Sequence, residues 1–198
     1  ARWLNLKSEE TYKGFGVSAC ATCDGFFFKD KEVAVVGGGN AAAEEAIFLT
    51  KFASKVKLIH RRNKLRAEKL LQTKLMNNKK IEVIWDSVIE EIIGQKDPKS
   101  VTGIIIKNLK TNSMSELKID GLFIAIGHIP ATSIFKGQLS MDKEGYILTK
   151  PDSTATNIPG VYAAGDVKDK VFRQAITAAG MGCMSALEAE KFLSEKSN

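Results

Sequence analysis

The stretch Cys20-Ala21-Thr22-Cys23-Asp24-Gly25 carries the most chemistry per residue in this chain. Two cysteines separated by two residues can close a small disulfide ring. In such C-x-x-C motifs one thiol is usually acidified into a good nucleophile. Asp24 follows at once and can pass a proton to a thiolate as it forms or leaves. Half of a zinc site is an alternative, but zinc wants four nitrogen or sulfur ligands. The remaining candidates are Cys183, His60 and His128, and none recurs at ligand spacing, so no metal site is expected. A purely structural disulfide belongs to secreted chains. This one opens Ala1-Arg2-Trp3 with no apolar leader, and its three cysteines fit a cytoplasmic setting. Redox chemistry is the leading reading.

A second chemical pattern is G-x-G-x-x-A at Gly37, Gly39 and Ala42. The first glycine permits a tight turn, and the second lets backbone amides approach a pyrophosphate. The small third residue lets a helix pack closely on its strand, and the helix N-terminus favours the anion. A ligand-free glycine turn is the bland alternative. His60-Arg61-Arg62 follows at the end of the next apolar run, with Arg66 beyond. An NAD site usually places a carboxylate there for the ribose 2′-hydroxyl. Guanidinium groups instead grip a 2′-phosphate, which selects NADPH over NADH. An exposed basic turn without a ligand is the alternative.

These residues need elements to hold them. Val33-Ala34-Val35-Val36 reads as a buried parallel strand, followed by a helix over 41–52 with Ala42, Ala46, Leu49 and Ala53 on one face. Residues 56–59 form the next strand, completing a βαβ unit. A helix is expected over 66–76, with Ala67, Leu70, Leu71 and Leu75 inward. Residues 81–85, 88–93 and 101–107 then read as a β-meander insert, and 121–127 as another buried strand. A boundary is placed at 128–130. Residues 1–19 and 131–158 read as loop-like, 161–166 as a small-residue strand, and 173 to about 193 as a helix in which Cys183 is a packing residue. The fold class is α/β, a Rossmann-like doubly wound domain with a β-meander insert.

The net charge of +6 comes from scattered lysines, without the clustered footprint of a nucleic-acid binder. No apolar run approaches the roughly 20 residues of a membrane span. Neither nucleic acid nor membrane is an expected partner.

Taken in order, several blocks of the chain resemble the bacterial-type, low-molecular-weight thioredoxin reductases. They are Ser18 to Phe27, Gly37-Gly38-Gly39-Asn40, His60-Arg61-Arg62 with Arg66, Ala125-Ile126-Gly127-His128, Gly160 to Asp166, and Arg173-Gln174-Ala175. The resemblance implies electron flow from NADPH through FAD and the Cys20–Cys23 disulfide to thioredoxin, in a homodimer. It puts Cys23 beside the flavin, Cys20 in attack on thioredoxin, and Asp24 as general acid. Gly37, Gly39, Asn40 and Glu44 would line the NADPH site, with His60, Arg61, Arg62 and Arg66 around the 2′-phosphate. Gly165 and Asp166 would meet the flavin's ribityl or phosphate region, and Arg173, Gln174 and Ala175 its ring. Residues 3–127 would be the NADPH-binding domain. Residues 128–198 would be the C-terminal part of a second, flavin-binding Rossmann-like domain. Two departures stand out. Ala41 occupies a position often Thr in the family, and no glycine fingerprint for flavin precedes Cys20, so a fragment is expected. The alternatives are an NADPH-binding redox module without turnover, the reductase component of a peroxiredoxin system, or a protein that only docks thioredoxin.

Overall fold

A computed structural model describes residues 1–196. The chain divides into two compact units, Ala1–His128 and Ile129–Asn198. In chain order, the first unit holds α1 (Lys7–Tyr12), β1 (Val17–Ser18), α2 (Ala21–Asp24), β2 (Glu32–Gly37), α3 (Asn40–Leu49), β3 (Lys55–Ile59) and α4 (Lys69–Met76). It continues with β4 (Ile81–Ile84), β5 (Ser87–Lys96), β6 (Lys99–Asn108), β7 (Met114–Lys118) and β8 (Gly121–Ala125). The second unit holds one long helix, α5 (Ala175–Lys196), after short turns of 3₁₀ helix at 133–135 and 165–167.

A five-stranded sheet in the order β1-β8-β2-β3-β4 forms the first unit's centre, and every pairing in it is parallel. Parallel sheets are covered on both faces, which explains the unbroken apolar run of β2. Val33 and Val35 point to one side, against Ala42, Ala46 and Leu49 of α3. Ala34 and Val36 point to the other, against Ile89, Ile92, Ile104 and Ile106 of the antiparallel sheet β5-β6-β7. Ala42, Ala43 and Ala46 of α3 are buried, so that helix lies close on the strands. Lys80 donates from Nζ to the carbonyls of Thr50 and Ala53, at 2.9 Å each, and closes the end of α3.

The α/β class and the βαβ unit stand, with several corrections. Residues 7–12 are helical, not loop, because the carboxylate of Glu9 is buried and accepts the backbone N–H groups of Leu4 and Asn5. Residues 17–18 join the sheet beside β8. Residues 81–84 extend the parallel sheet instead of the meander, whose third strand is β7. The helix expected from Arg66 begins at Lys69, and its Leu70 is 66% exposed. Residues 161–166 form no strand, only an isolated bridge between Ala155 and Tyr162 and then a 3₁₀ turn. No residue of α5 is buried and Cys183 is exposed, so it is not a packing residue. Among the described residues no helix is long and apolar enough to cross a membrane.

Candidate functional site

Cys20 and Cys23 form a disulfide, with Cα atoms 5.3 Å apart. Cys20 precedes α2 in an extended conformation, and Ser18 fixes that approach by accepting the N–H of Cys20 on its hydroxyl at 3.0 Å. The N–H of Cys23 points at the Cys20 sulfur, 3.2 Å away. Ala21 and Gly25 anchor the loop in the core, and a Cβ on Gly25 would press on Leu49 at 3.1 Å. Cys23 lies on the surface and Cys20 is half-buried. Asp24 ends α2, half-buried, one residue past Cys23. Phe26 and Phe27 are 67% and 71% exposed, an apolar surface beside the disulfide. Among the described residues no group of three or more His, Cys, Asp or Glu could hold a metal.

A cavity of about 710 Å³ opens at the C-terminal ends of β2 and β8. That edge of a doubly wound sheet is where such folds bind ligands. Gly37, Gly39, Asn40, His60, Arg61 and Arg66 line it together, whereas Glu44 and Arg62 are not among its lining residues. The glycines differ in what they serve. A Cβ on Gly37 would stand 2.3 Å from the Ala125 carbonyl oxygen and 2.6 Å from the Ala42 methyl. On Gly38 it would collide with the His60 ring at 2.2 Å, and on Gly39 it would enter open space. The His60 ring is buried, with Nδ1 2.9 Å from the Gly37 carbonyl and Nε2 2.9 Å from the Lys64 carbonyl. Arg61 and Arg66 are exposed and free to reach an anion.

Other walls of the cavity escaped the reading of the sequence. Arg2, Trp3, Leu4 and Asn5 close one side. They are held there by Glu9 and by the bond from the Arg2 N–H to the Gly127 carbonyl at 2.8 Å. Ser87, Val88 and Ile89 close another. An arginine beside a tryptophan in a supposed loop was the only available signal.

In the second unit Gly165 packs on α5, where a Cβ would meet Ala178 at 3.3 Å, and Asp166 is exposed in the same turn. Arg173 has φ +50° and Gln174 leads directly into α5 at Ala175. Asp169, unnoticed in the sequence, fixes this entry. Its carboxylate accepts the N–H groups of Val171, Phe172 and Arg173 at 2.9 Å each. Burial pushes its carboxyl up, but those donors and the Thr177 hydroxyl outweigh burial and hold it below its ordinary value. The Ser153 and Thr154 hydroxyls lower Glu188 likewise. A carboxyl depressed by folding stabilises above its unfolded value, near 4, and the benefit is lost as pH falls through its folded value. The unfolding midpoint of this unit is therefore expected to stay level between neutral pH and about pH 5, then fall below about pH 4. Asp169→Asn should flatten that acid slope in a thermal melt followed by circular dichroism. A midpoint that rises in acid would contradict the assignment.

Comparison with known proteins gives consistent matches. A family model described as pyridine nucleotide-disulphide oxidoreductase matches residues 1–182. The thioredoxin reductase of Rickettsia conorii is 60% identical over 195 residues, covering 98% of this chain and 63% of that protein. The thioredoxin reductase of Streptomyces coelicolor is 51% identical, covering 100% and 60%. The crystal structure of thioredoxin reductase from Streptococcus pyogenes superimposes with a TM-score of 0.93 at 44% identity, covering 98% of this chain and 62% of its own. The chain thus spans about three-fifths of the length of the curated relatives it matches. With the family model matched over most of its residues and a disulfide formed within the matched region, the chain belongs to the pyridine nucleotide-disulphide oxidoreductases.

Proposed function

We propose that this chain is the NADPH-binding and disulfide-bearing part of a thioredoxin reductase, passing electrons from NADPH through FAD and the Cys20–Cys23 disulfide to thioredoxin. The observation that carries the reading is that one unit holds both a redox-capable disulfide and a dinucleotide-sized cavity edged by Arg61 and Arg66. Residues 3–127 are then the NADPH-binding domain. Residues 128–198 are the C-terminal part of the flavin-binding domain, in a homodimer.

The chain's residues fit NADPH well. The open space at Gly39 admits a pyrophosphate to the start of α3, a ten-residue helix whose first N–H groups need partners. Arg61 and Arg66 grip the 2′-phosphate, while Glu44 and Arg62 play lesser parts. For a flavin the fit is partial. Gly165, Asp166 and Arg173 to Ala175 offer a turn and a helix start, enough for one side of the group. FAD, when bound, supplies the two-electron acceptor that a disulfide cannot be for hydride. Cys20 attacks the disulfide of thioredoxin, Cys23 resolves the mixed disulfide and faces the flavin side, and Asp24 holds the proton exchanged with the thiolates. The exposed Phe26 and Phe27 give a protein substrate an apolar surface beside the disulfide.

One observation keeps a second reading alive. The glycine fingerprint at residues 37–42 opens the cavity edged by Arg61 and Arg66, which would commit that fingerprint to NADPH. Without a second fingerprint for flavin, the chain would be an NADPH-binding redox module without turnover. The visible spectrum of the purified protein in its longest native form, with NADPH oxidation in the presence of thioredoxin, separates them. Flavin bands and turnover of about 1 per second or faster support the reductase. NADPH binding without turnover supports the module. Preferential reduction of a peroxiredoxin would point to that system instead.

A further inference from the structure

The glycine turn and the basic loop that follows β3 run side by side, and two bonds hold them in step. The N–H of Arg66 donates to the Gly38 carbonyl at 2.7 Å. Two residues further along both segments, the N–H of Glu68 donates to Oδ1 of Asn40 at 2.9 Å. This second acceptor comes from a side chain because the backbone has already turned into α3 at Asn40. The asparagine thus adds one rung to a pairing that its own backbone cannot continue.

The other end of the same amide is engaged as well. Asn40 Nδ2 donates to Glu68 Oε1 at 3.1 Å. A backbone N–H only donates and a carboxylate only accepts, so the two bonds together fix which way the amide faces. One residue of the turn therefore holds Glu68 by both its backbone and its side chain. Leu65 and Ala67 are buried in the core, while Arg66 and Glu68 alternate with them on the surface. The apolar pair sets the depth of the loop, and the two rungs set its position along the turn. Arg66 stands between the rungs, lines the cavity, and among the described residues forms no ion pair. The carboxylate two residues along is taken up by Asn40, which leaves the Arg66 guanidinium for an anion.

We propose that Asn40 and Glu68 form a lock that holds Arg66 against the glycine turn, and that this lock sets how strongly the site prefers NADPH to NADH. The proposal rests on reading the cavity as an NADPH site. Glu68 is not among the cavity's lining residues and acts through Asn40, as a positioning residue. Both nucleotides carry the pyrophosphate, and only the 2′-phosphate tells them apart. The preference between them therefore reports on the aim of Arg66 and not on any contact that Asn40 itself makes with a nucleotide.

The test has two arms, both on the whole chain. In the first, NADPH and NADH are titrated into wild type, Asn40→Ala, Glu68→Gln and Glu68→Ala. Asn40→Ala removes both bonds while keeping a good helix former at the start of α3. The preference for NADPH should fall about threefold to tenfold, the range for loss of ordinary hydrogen bonds. Glu68→Gln keeps an acceptor for Asn40 without the charge, and Glu68→Ala keeps neither. Comparing these two cancels the effect of the lost charge on a phosphate, and the preference should be lower in Glu68→Ala. Equal weakening of both nucleotides in Asn40→Ala would leave that residue a direct contact or a stabilising one. Equal preference in the two Glu68 variants would leave their bond to Asn40 idle. Either result overturns the proposal. In the second arm, backbone hydrogen exchange is followed by NMR in wild type and Asn40→Ala without nucleotide. The lock predicts faster exchange at the Arg66 N–H, although its own acceptor on Gly38 is untouched by the substitution. Unchanged protection there overturns the lock. Should the wild-type chain not distinguish the two nucleotides, the NADPH reading fails by itself, while exchange at Arg66 still decides the lock.

Discussion

Gly37→Val is expected to weaken NADPH binding by more than a hundredfold and to destabilise the first unit. A Cβ at this position would lie 2.3 Å from the Ala125 carbonyl oxygen and 2.6 Å from the Ala42 methyl. Neither is the end of a flexible side chain, so β8 and α3 must part to admit it. Such overpacking typically costs about 1–3 kcal/mol, and parting them also moves the start of α3 away from the cavity. Gly39→Ala is the informative contrast. Its Cβ would meet only open space, so stability should change by less than about 0.5 kcal/mol, as for ordinary surface substitutions. Nucleotide affinity should still fall, because the methyl intrudes where a pyrophosphate would approach. Thermal melts and calorimetric titration of both variants check this. Equal loss of stability in the two would mean that the turn is structural and not built around a ligand.

Cys23→Ser is expected to abolish NADPH-dependent thioredoxin reduction by the flavin-loaded, full-length protein while leaving NADPH binding within about twofold of wild type, as expected for sites with no shared partners. A serine oxygen cannot form the disulfide that Cys20 and Cys23 make, so the two-electron store disappears. Cys20→Ser should abolish turnover as well, since the attacking thiolate is lost. The two variants should differ in trapping. With Cys20 retained and no resolving partner, a mixed disulfide with thioredoxin accumulates. Non-reducing gels detect it, and its formation in Cys20→Ser but not in Cys23→Ser would reverse the assigned roles.

Much of this was legible in the sequence because the first unit's signals are local. The apolar run of β2, the glycine turn and the alanine face of α3 each follow from one stretch of chain. The C-x-x-C spacing likewise needs only its own loop. What was hidden depends on distant partners. Residues 2–5 reach the cavity through Glu9 and Gly127, and nothing in their own spacing announces it. The polar look of residues 7–12 concealed a helix built around a buried carboxylate. The resemblance places His60 around the 2′-phosphate; the bonds its ring makes to the Gly37 and Lys64 carbonyls have no signal in its own stretch of sequence. The run Val161 to Asp166 has strand composition, but among the described residues it gains only one isolated bridge.

The central claim is that a single unit binds NADPH, chosen by Arg61 and Arg66, and carries the redox disulfide. Calorimetric titration of NADPH and NADH into the chain, repeated with Arg61→Ala/Arg66→Ala, tests it most directly. A charge-assisted pair is worth about 1.5–3 kcal/mol, so NADPH should bind one site about tenfold to a hundredfold more tightly than NADH, and the double variant should lose most of that difference. Equal affinity for the two nucleotides in the unmutated chain, or a preference that survives loss of both arginines, would contradict the account.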